Sequence, residues 1–154
     1  MYVIKKFFNE YVRDVTSLGG LPVYGLVCLY ALASGQYHLF IQLLTMVIAI
    51  MIVTYVTKSV YFKARPDNTA KKKGANLLEK ADLSSFPSVH AARITALGIL
   101  FALIYANPLI TVLAAVVVVA VCVSRILIKR HYTADVIAGF ILGLIVGYAA
   151  FLWV

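Results

Sequence analysis

The sequence predicts an all-α fold, a polytopic membrane bundle of five transmembrane helices preceded by an amphipathic helix in the membrane interface. Composition is the first reason: 63% of the residues are hydrophobic and 13% are charged, whereas a soluble domain needs about 25% charged residues to cover its surface. Charge placement is the second reason. No Asp, Glu, Lys or Arg occurs between Asp14 and Lys58, between Arg93 and Arg125, or after Asp135.

The uncharged stretches set the number of spans. Because a transmembrane helix takes about 20 apolar residues, the first stretch holds two spans, the second holds two slightly short ones and the last holds one. The predicted spans are 17–35, 38–57, 87–106, 108–128 and 132–153. Hydrophobicity is continuous along them rather than alternating, which favours helices over a transmembrane β-barrel.

Residues 1–15 have a different pattern, in which apolar and charged side chains share the segment. The apolar residues recur at helical spacing: Val3, Ile4, Phe7, Phe8, Tyr11, Val12 and Val15. This pattern predicts an amphipathic helix lying in the interface. A signal peptide would share the basic start, but no small-residue cleavage site follows.

We expect one domain over residues 1–154, without repeats. Cys28 and Cys122 both fall inside predicted spans, where they are expected to be packing residues rather than parts of a disulfide framework or a zinc site. No cofactor is expected. The sequence leaves the oligomeric state open.

The five spans place nearly all charge on one side of the membrane. That side carries residues 1–15, the 58–86 connection and the turn near 129–131, with the fourteen Lys and Arg on it or close to it. The segments at 34–38 and 105–108 on the other side carry no charged side chain. The positive-inside rule therefore predicts a cell-membrane protein with its charged side in the cytoplasm. The net charge of +8 indicates anionic lipid or substrate as partner, and no nucleic-acid recognition module is present.

Polar clusters stand at the span ends on the charged side. They are Lys58 and Arg65-Pro66 after the second span, Pro87-Ser88-Val89-His90 at the start of the third, Ser124-Arg125 at the end of the fourth, and His131 and Asp135 at the start of the fifth. We expect Pro87 in the first helical turn, and His131 and Asp135 on one helical face. Each cluster alone fits a snorkelling cation, a cap or a topology signal. Together they place ionisable groups in spans, where such groups are costly and usually mark a site.

This set of groups is suited to phosphoryl transfer. Three cations and the free N–H groups of a helix start would bind a tetrahedral dianion. A histidine held by an aspartate is an oriented nucleophile or base, and a second histidine would protonate a leaving oxygen. Since Asp135 is the only carboxylate in these clusters, no magnesium site is expected, and the cations must stabilise the transferring phosphoryl group.

The order and spacing of the clusters resemble the three signature motifs of the type 2 phosphatidic acid phosphatase superfamily. The resemblance covers residues 58–135 and rests on Lys58-x6-Arg65-Pro66, Pro87-Ser88-Val89-His90 and Ser124-Arg125-x5-His131-x3-Asp135. It implies a helical-bundle phosphatase that acts on lipid phosphates without a metal.

The resemblance also implies a role for each residue. His131 would attack phosphorus and carry a phosphohistidine, Asp135 would orient His131, and His90 would protonate the departing alkoxide. The phosphate oxygens would be bound by Lys58, Arg65, Arg125, Ser88 and the backbone amide of Val89.

Two residues stand apart from the family pattern. Val89 occupies a position where the family usually has glycine, so its branched side chain would either narrow the pocket or point away from it. Arg93 lies three residues after His90, on roughly the same helical face. It would either reach the headgroup or a second phosphate, or snorkel to the interface.

An interfacial site suits a lipid substrate, with phosphatidic acid, phosphatidylglycerophosphate and polyprenyl mono- or diphosphates as candidates. The segment 67–86 would form a lid or a short interfacial helix, with Leu77, Leu78 and Phe86 pressing into the bilayer beside the entrance.

Two alternatives come from other classes. Vanadium haloperoxidases share the phosphate-binding architecture but are soluble, which the apolar stretches argue against. A non-catalytic lipid-binding or transporting protein would be expected to lose a histidine or an arginine, and here every one is present.

Overall fold

The computed structural model describes residues 2–67 and 83–153, and for residues 2–9 it describes the backbone alone. The predicted all-α bundle is confirmed. Its helices are α1 (Tyr2–Ser17), α2 (Leu21–Ala33), α3 (Tyr37–Val60), α4 (Val89–Tyr105), α5 (Pro108–Leu127) and α6 (Thr133–Trp153).

The helices agree closely with the predicted spans. Among the described residues, four helical segments are long and apolar enough to cross a membrane: Glu10–Ala33, Tyr37–Val60, Pro108–Leu127 and Thr133–Trp153. Helix α4 is also apolar but has only 17 residues. Together with the exposed Leu, Ile and Val side chains on the outer faces, these segments make the chain a multi-pass membrane protein.

The N-terminal boundary is the main difference from the prediction. The first apolar segment begins at Glu10 inside α1 and continues through the turn at 18–20 into α2, rather than beginning at residue 17. Helix α1 packs on α5, where Thr16 Oγ1 lies 2.6 Å from Ser124 Oγ in a buried contact. The predicted amphipathic helix is therefore partly packed against the bundle, and Val12 on that face is buried.

Helix α4 lies at the centre of the bundle and contacts α3, α5 and α6. Its fully buried apolar residues are Ala91, Ala92, Ala96 and Leu100. Because three of these four side chains are single methyl groups, neighbouring helices approach the α4 backbone closely.

The closest approach is between α4 and α6. Gly139, Gly143 and Gly147 recur every fourth residue on the α6 face that meets α4. A Cβ atom at Gly139 or Gly143 would collide with the carbonyl of Ser88 or Ala92 respectively. We call this contact the glycine seam. It fixes α4 against α6 along its length and so fixes where the first turn of α4 stands.

Candidate active site

The polar clusters of the sequence meet around one cavity of about 320 Å³. Its lining comes from α2, α3, α4, α5 and the two connections that follow α3 and α5, and consists of Leu21, Met51, Thr54, Tyr55, Lys58, Arg65, Val89, His90, Arg93, Arg125 and His131. Every candidate residue from the sequence except Ser88 and Asp135 is in this lining.

Helix ends position the cations. Lys58 and Arg125 stand in the last turns of α3 and α5 and are both buried. The partial negative charge at a helix C-terminus favours a cation there, which offsets part of the cost of burial. Arg65 lies in the irregular segment that follows α3 and lines the same cavity.

The N-terminus of α4 brings N–H groups to the cavity. Ser88 is the N-cap, and its own N–H donates to the Asp135 carbonyl at 2.9 Å. Helix α4 therefore begins at Val89, and the prediction that Pro87 lies in its first turn is wrong by two positions. The N–H groups of Val89 and His90 have no carbonyl within the helix to bind, and the helix dipole favours an anion beside them.

Ser88 and Val89 differ in what they present. The Ser88 side chain is fully buried, and its Oγ has no hydrogen-bond partner among the described residues. Val89 is half-buried, packs on the apolar core and also lines the cavity. Val89 therefore belongs both to the apolar core and to the lining of the cavity.

The hydrogen bonds of His131 define its tautomer. Its Nδ1 lies 2.7 Å from the Ser85 carbonyl oxygen, which can only accept, so Nδ1 carries the hydrogen. Its Nε2 lies 3.2 Å from Arg125 Nη2, which can only donate, so Nε2 presents a lone pair. The tautomer follows from these partners. It leaves the nucleophilic nitrogen on the side of the guanidinium.

The electrostatic environment keeps His131 neutral. Burial and the positive charges of Arg125, Lys58 and Arg65 lower the pKa of His131 from 6.5 to about 3, against an opposing effect of the hydrogen bond to Ser85. A neutral imidazole has the free electron pair that attack on phosphorus requires.

The hydrogen bond expected between Asp135 and His131 is not formed. Asp135 Oδ2 lies 4.0 Å from His131 Nδ1 and instead accepts from the Tyr132 N–H at 2.9 Å. Helix α6 begins at Thr133, so His131 precedes the helix and the two residues do not share a helical face. The Ser85 carbonyl takes the orienting position that the sequence suggested for the carboxylate.

Lys63 is a site residue that the sequence analysis missed. Its Nζ lies 2.5 Å from Asp135 Oδ1 and 4.7 Å from the centre of the Tyr132 ring. The sequence shows Lys63 only as a cation in the spacer between Lys58 and Arg65, and the pairing follows from the structure, in which the fully buried Asp135 carboxylate requires a cation.

The two described ends of the 58–86 connection are joined beside His131. The Ser85 N–H donates to the Lys63 carbonyl at 2.8 Å, and Ser84 Oγ accepts from the Lys63 N–H at 3.3 Å. Phe86 packs edge-on against Tyr61, with ring centres 5.8 Å apart. The predicted contacts of Leu77 and Leu78 with the bilayer lie outside the described residues.

Arg93 is buried one helical turn beyond His90. Its side chain is 5% exposed, and among the described residues its Nε and Nη1 have no hydrogen-bond partner. The described residues that line the cavity include no carboxylate. The guanidinium of Arg93 is therefore a lining group whose charge no described carboxylate of the cavity pairs.

One wall of the cavity is apolar and continuous with the outer surface of the bundle. Leu21 of α2 and Met51 and Tyr55 of α3 line it, and each is more than 40% exposed. Because outward-facing side chains at these positions meet lipid, the cavity joins a cationic end to the membrane side of α2 and α3. No group of three His, Cys, Asp or Glu side chains that could hold a metal ion is found within residues 2–67 and 83–153.

Comparison with known proteins yields a family and a solved structure. The model of the PAP2 superfamily matches residues 39–154, which include all the polar clusters. A solved structure is similar over 94% of this chain and 75% of its own, with a TM-score of 0.73 and 22% identity. It is the crystal structure of the first transmembrane PAP2 type phosphatidylglycerolphosphate phosphatase from Bacillus subtilis. The search of curated proteins found no match.

Proposed function

Because the chain belongs to the PAP2 superfamily, we propose that it is a membrane-embedded, metal-independent phosphatase that hydrolyses a lipid phosphate monoester or diphosphate. The observation that carries this proposal is the neutral His131, which offers its Nε2 lone pair beside Arg125 in a cavity that reaches the lipid-facing surface. Nucleophile, cations and lipid access are therefore combined in one place.

The phosphate group would bind where the cations converge. Lys58, Arg65 and Arg125 would contact its oxygens, joined by the Val89 N–H at the start of α4. Ser88 is fully buried outside the cavity lining and would act as the N-cap that positions this N–H. Charge-assisted hydrogen bonds of this kind are strong in a buried site and stabilise the charge that develops during transfer.

The chemistry would run in two balanced steps. His131 Nε2 forms a bond to phosphorus while the bond to the leaving oxygen breaks, and His90, whose protonated form the negative charge of the bound phosphate would favour, gives its proton to that oxygen. The leaving group is a lipid alkoxide for a monoester and a lipid phosphate for a diphosphate. Water then attacks the phosphohistidine and gives its proton to His90, and inorganic phosphate leaves. During the first step the His131 ring becomes cationic, with its Nδ1–H held by the Ser85 carbonyl and Asp135 at 4.0 Å.

A lipid is the substrate class that the apolar wall favours. Phosphatidic acid, phosphatidylglycerophosphate and polyprenyl mono- or diphosphates all place a phosphate in water and tails in the bilayer. The similar solved structure carries the name of a phosphatidylglycerolphosphate phosphatase, which supports that candidate. The positive-inside rule supports a site on the cytoplasmic face of the cell membrane.

The test is phosphate release by purified protein in detergent with EDTA, against the same four lipid classes. We expect activity on at least one lipid, and a loss of about 10³-fold or more in His131→Ala. His38→Ala is the matched control, because His38 is an exposed histidine at the start of α3 and outside the cavity.

The outcomes are distinct. Activity that EDTA abolishes would contradict the metal-independent mechanism. Full activity in His131→Ala would remove His131 as nucleophile. No release from any lipid by a folded sample would favour a lipid-binding or transporting protein that retains the fold.

A further inference from the structure

Arg93 is the cation of the cavity that the proposed mechanism does not use. It belongs to none of the motifs that bind the reacting phosphate, yet it lines the same cavity as His90 and Arg125. Its side chain is 5% exposed, and its Nε and Nη1 atoms are both buried. A guanidinium carries five N–H donors and keeps its charge in proteins, so its burial calls for an anion.

The described part of the protein supplies no such anion. Nε and Nη1 have no hydrogen-bond partner there, and the cavity lining contains no carboxylate. The neighbouring Tyr24 hydroxyl is already used, since it donates to the Leu43 carbonyl at 2.8 Å. Asp135 is paired with Lys63. Arg93 therefore brings to the cavity lining a buried positive charge that no carboxylate of the described residues pairs, and an anion bound in the cavity would pair it.

Position along α4 indicates which part of a ligand would be there. Arg93 stands three residues beyond His90, a rise of about 4.5 Å along the helix axis. The motif cations Lys58 and Arg125 stand in the last turns of α3 and α5. Arg93 instead lies one turn into α4, closer to the middle of that helix. An anion at Arg93 would thus sit between the reacting phosphate and the lipid tails.

We propose that Arg93 forms a second anion site, and that the preferred substrate is a lipid with two phosphates, the outer one reacting and the inner one bound by Arg93. This inference rests on the proposed phosphatase function. Two lipid chemistries have this order of groups. A polyprenyl diphosphate joins its two phosphates directly, and phosphatidylglycerophosphate separates a terminal monoester from an inner phosphodiester by a glycerol. A lipid monophosphate leaves Arg93 unpaired.

The experiment compares matched substrates with Arg93→Gln and Arg93→Lys. One pair is a polyprenyl diphosphate and the monophosphate of the same chain; the other is phosphatidylglycerophosphate and phosphatidic acid with the same acyl chains. We expect Arg93→Gln to lower kcat/KM about 30-fold or more on a two-phosphate lipid and less than about 3-fold on its partner. Arg93→Lys should retain part of the kcat/KM that Arg93→Gln loses, because lysine keeps the positive charge but lacks the planar set of N–H donors of the guanidinium group.

The two pairs also identify the source of the second phosphate. If Arg93→Gln lowers kcat/KM selectively on the polyprenyl diphosphate alone, Arg93 binds the inner phosphate of a diphosphate. If the selective decrease is found on phosphatidylglycerophosphate alone, Arg93 binds the inner phosphodiester. An equal loss on both members of both pairs, or no loss at all, overturns the second anion site. Arg13→Gln controls for net charge, since Arg13 is an exposed arginine of α1.

A binding measurement separates this inference from the proposed reaction. Methylene bisphosphonate should raise the thermal midpoint of the wild-type protein more than inorganic phosphate does, and Arg93→Gln should remove that difference. This readout requires no turnover, so it tests Arg93 even in a protein that hydrolyses nothing. Equal stabilisation of wild type by the two anions would contradict a second site for the inner phosphate of a diphosphate; for phosphatidylglycerophosphate the matching probe is glycerol 1,3-bisphosphate, and equal stabilisation by that anion as well would contradict the second site altogether.

Discussion

Helix α4 has two faces with opposite properties. Toward α6 it forms the glycine seam, where backbone meets backbone and a Cβ at Gly143 would collide with the Ala92 carbonyl. Toward the cavity it presents His90 and Arg93, and Arg93 has buried donors without partners among the described residues. The face toward α6 is closely packed, whereas the face toward the cavity carries polar atoms that no described residue pairs.

The difference between the two faces of α4 shows how close helix packing on one side can fix the positions of the charged side chains on the other. In a bilayer, apolar burial provides little force between helices, so close packing of small residues must hold α4 against α6. A seam without spare volume fixes the first turn of α4, and with it His90 and the N–H groups beside the cavity. Groups fixed in this way need no reorganisation when charge develops during a reaction.

The largest expected effect comes from filling the glycine seam. Gly143→Leu should separate α4 from α6 and prevent recovery of folded protein, while Gly143→Ala should lower the free energy of unfolding by about 1–3 kcal/mol. The yield of folded protein after purification measures the effect of Gly143→Leu, and denaturation in detergent micelles measures the effect of Gly143→Ala. Gly25→Ala and Gly25→Leu are the matched controls, because a Cβ at Gly25 meets nothing within 4 Å. Equal stability of the Gly143 and Gly25 variants would show that the seam does not support the bundle.

The next effect concerns the ion pair behind the cavity. Lys63→Met leaves the fully buried Asp135 carboxylate without its cation, which should cost about 3 kcal/mol of stability and lower kcat about 10-fold or more. Unfolding and turnover should be measured on the same samples, with Lys63→Arg as the variant that keeps the charge.

A double-mutant cycle tests the cause of the Lys63 effect. In an Asp135→Asn background, Lys63→Met should cost less than about 1 kcal/mol, because no buried charge remains to be paired. A loss as large as in the wild-type background would mean that Lys63 acts through its contacts with Phe86 and Tyr132 instead.

The smallest effect is the dependence of stability on pH. The pKa of His131 is lowered from 6.5 to about 3, so the folded state binds fewer protons than the unfolded chain between these values. The contribution of neutral His131 to the free energy of unfolding is therefore fully present above pH 6.5 and is lost as the pH falls toward 3. Between pH 8 and pH 5 the loss is about 2 kcal/mol.

His131→Asn isolates this contribution. The difference in free energy of unfolding between wild type and His131→Asn should narrow by about 2 kcal/mol from pH 8 to pH 5, because the variant has no imidazole to protonate. Parallel curves for the two proteins would contradict the depressed pKa. The exposed His38 gives the control, His38→Asn, whose curve should run parallel to wild type.

The sequence was sufficient for the helices and for most of the cavity lining. Uncharged stretches locate the spans because ionisable groups are costly in lipid, and the clusters meet because they stand at helix ends on one side. The helix start at Val89 was missed because it depends on a hydrogen bond from Ser88 to the distant Asp135 carbonyl. The sequence offered Ser88 as a cap, but only the contact with Asp135 fixes Ser88 rather than an earlier residue as the N-cap.

The hydrogen-bond and ion-pair partners of His131 and Asp135 could not be predicted either, because they too depend on contacts between distant parts of the chain. His131 is oriented by the carbonyl of Ser85, a group that every residue possesses and that only the path of the connection brings near. Lys63 is visible in the sequence as a cation five positions after Lys58, but nothing in the spacing pairs it with Asp135. The four-residue repeat of Gly139, Gly143 and Gly147, in contrast, was open to inspection in the sequence.

The apolar wall of Leu21, Met51 and Tyr55 has a kinetic consequence. If the substrate is a lipid, as we propose, it would enter from the side of α2 and α3 by lateral diffusion, and the rate would depend on the mole fraction of that lipid in the membrane and not on its amount per volume of solution. Diluting the substrate with inert lipid or detergent would slow the reaction, whereas adding buffer to the same membranes would leave the rate per enzyme unchanged. After cleavage the dephosphorylated lipid would return to the bilayer and the phosphate ion to water, and this partition of the two products between separate phases would oppose their recombination.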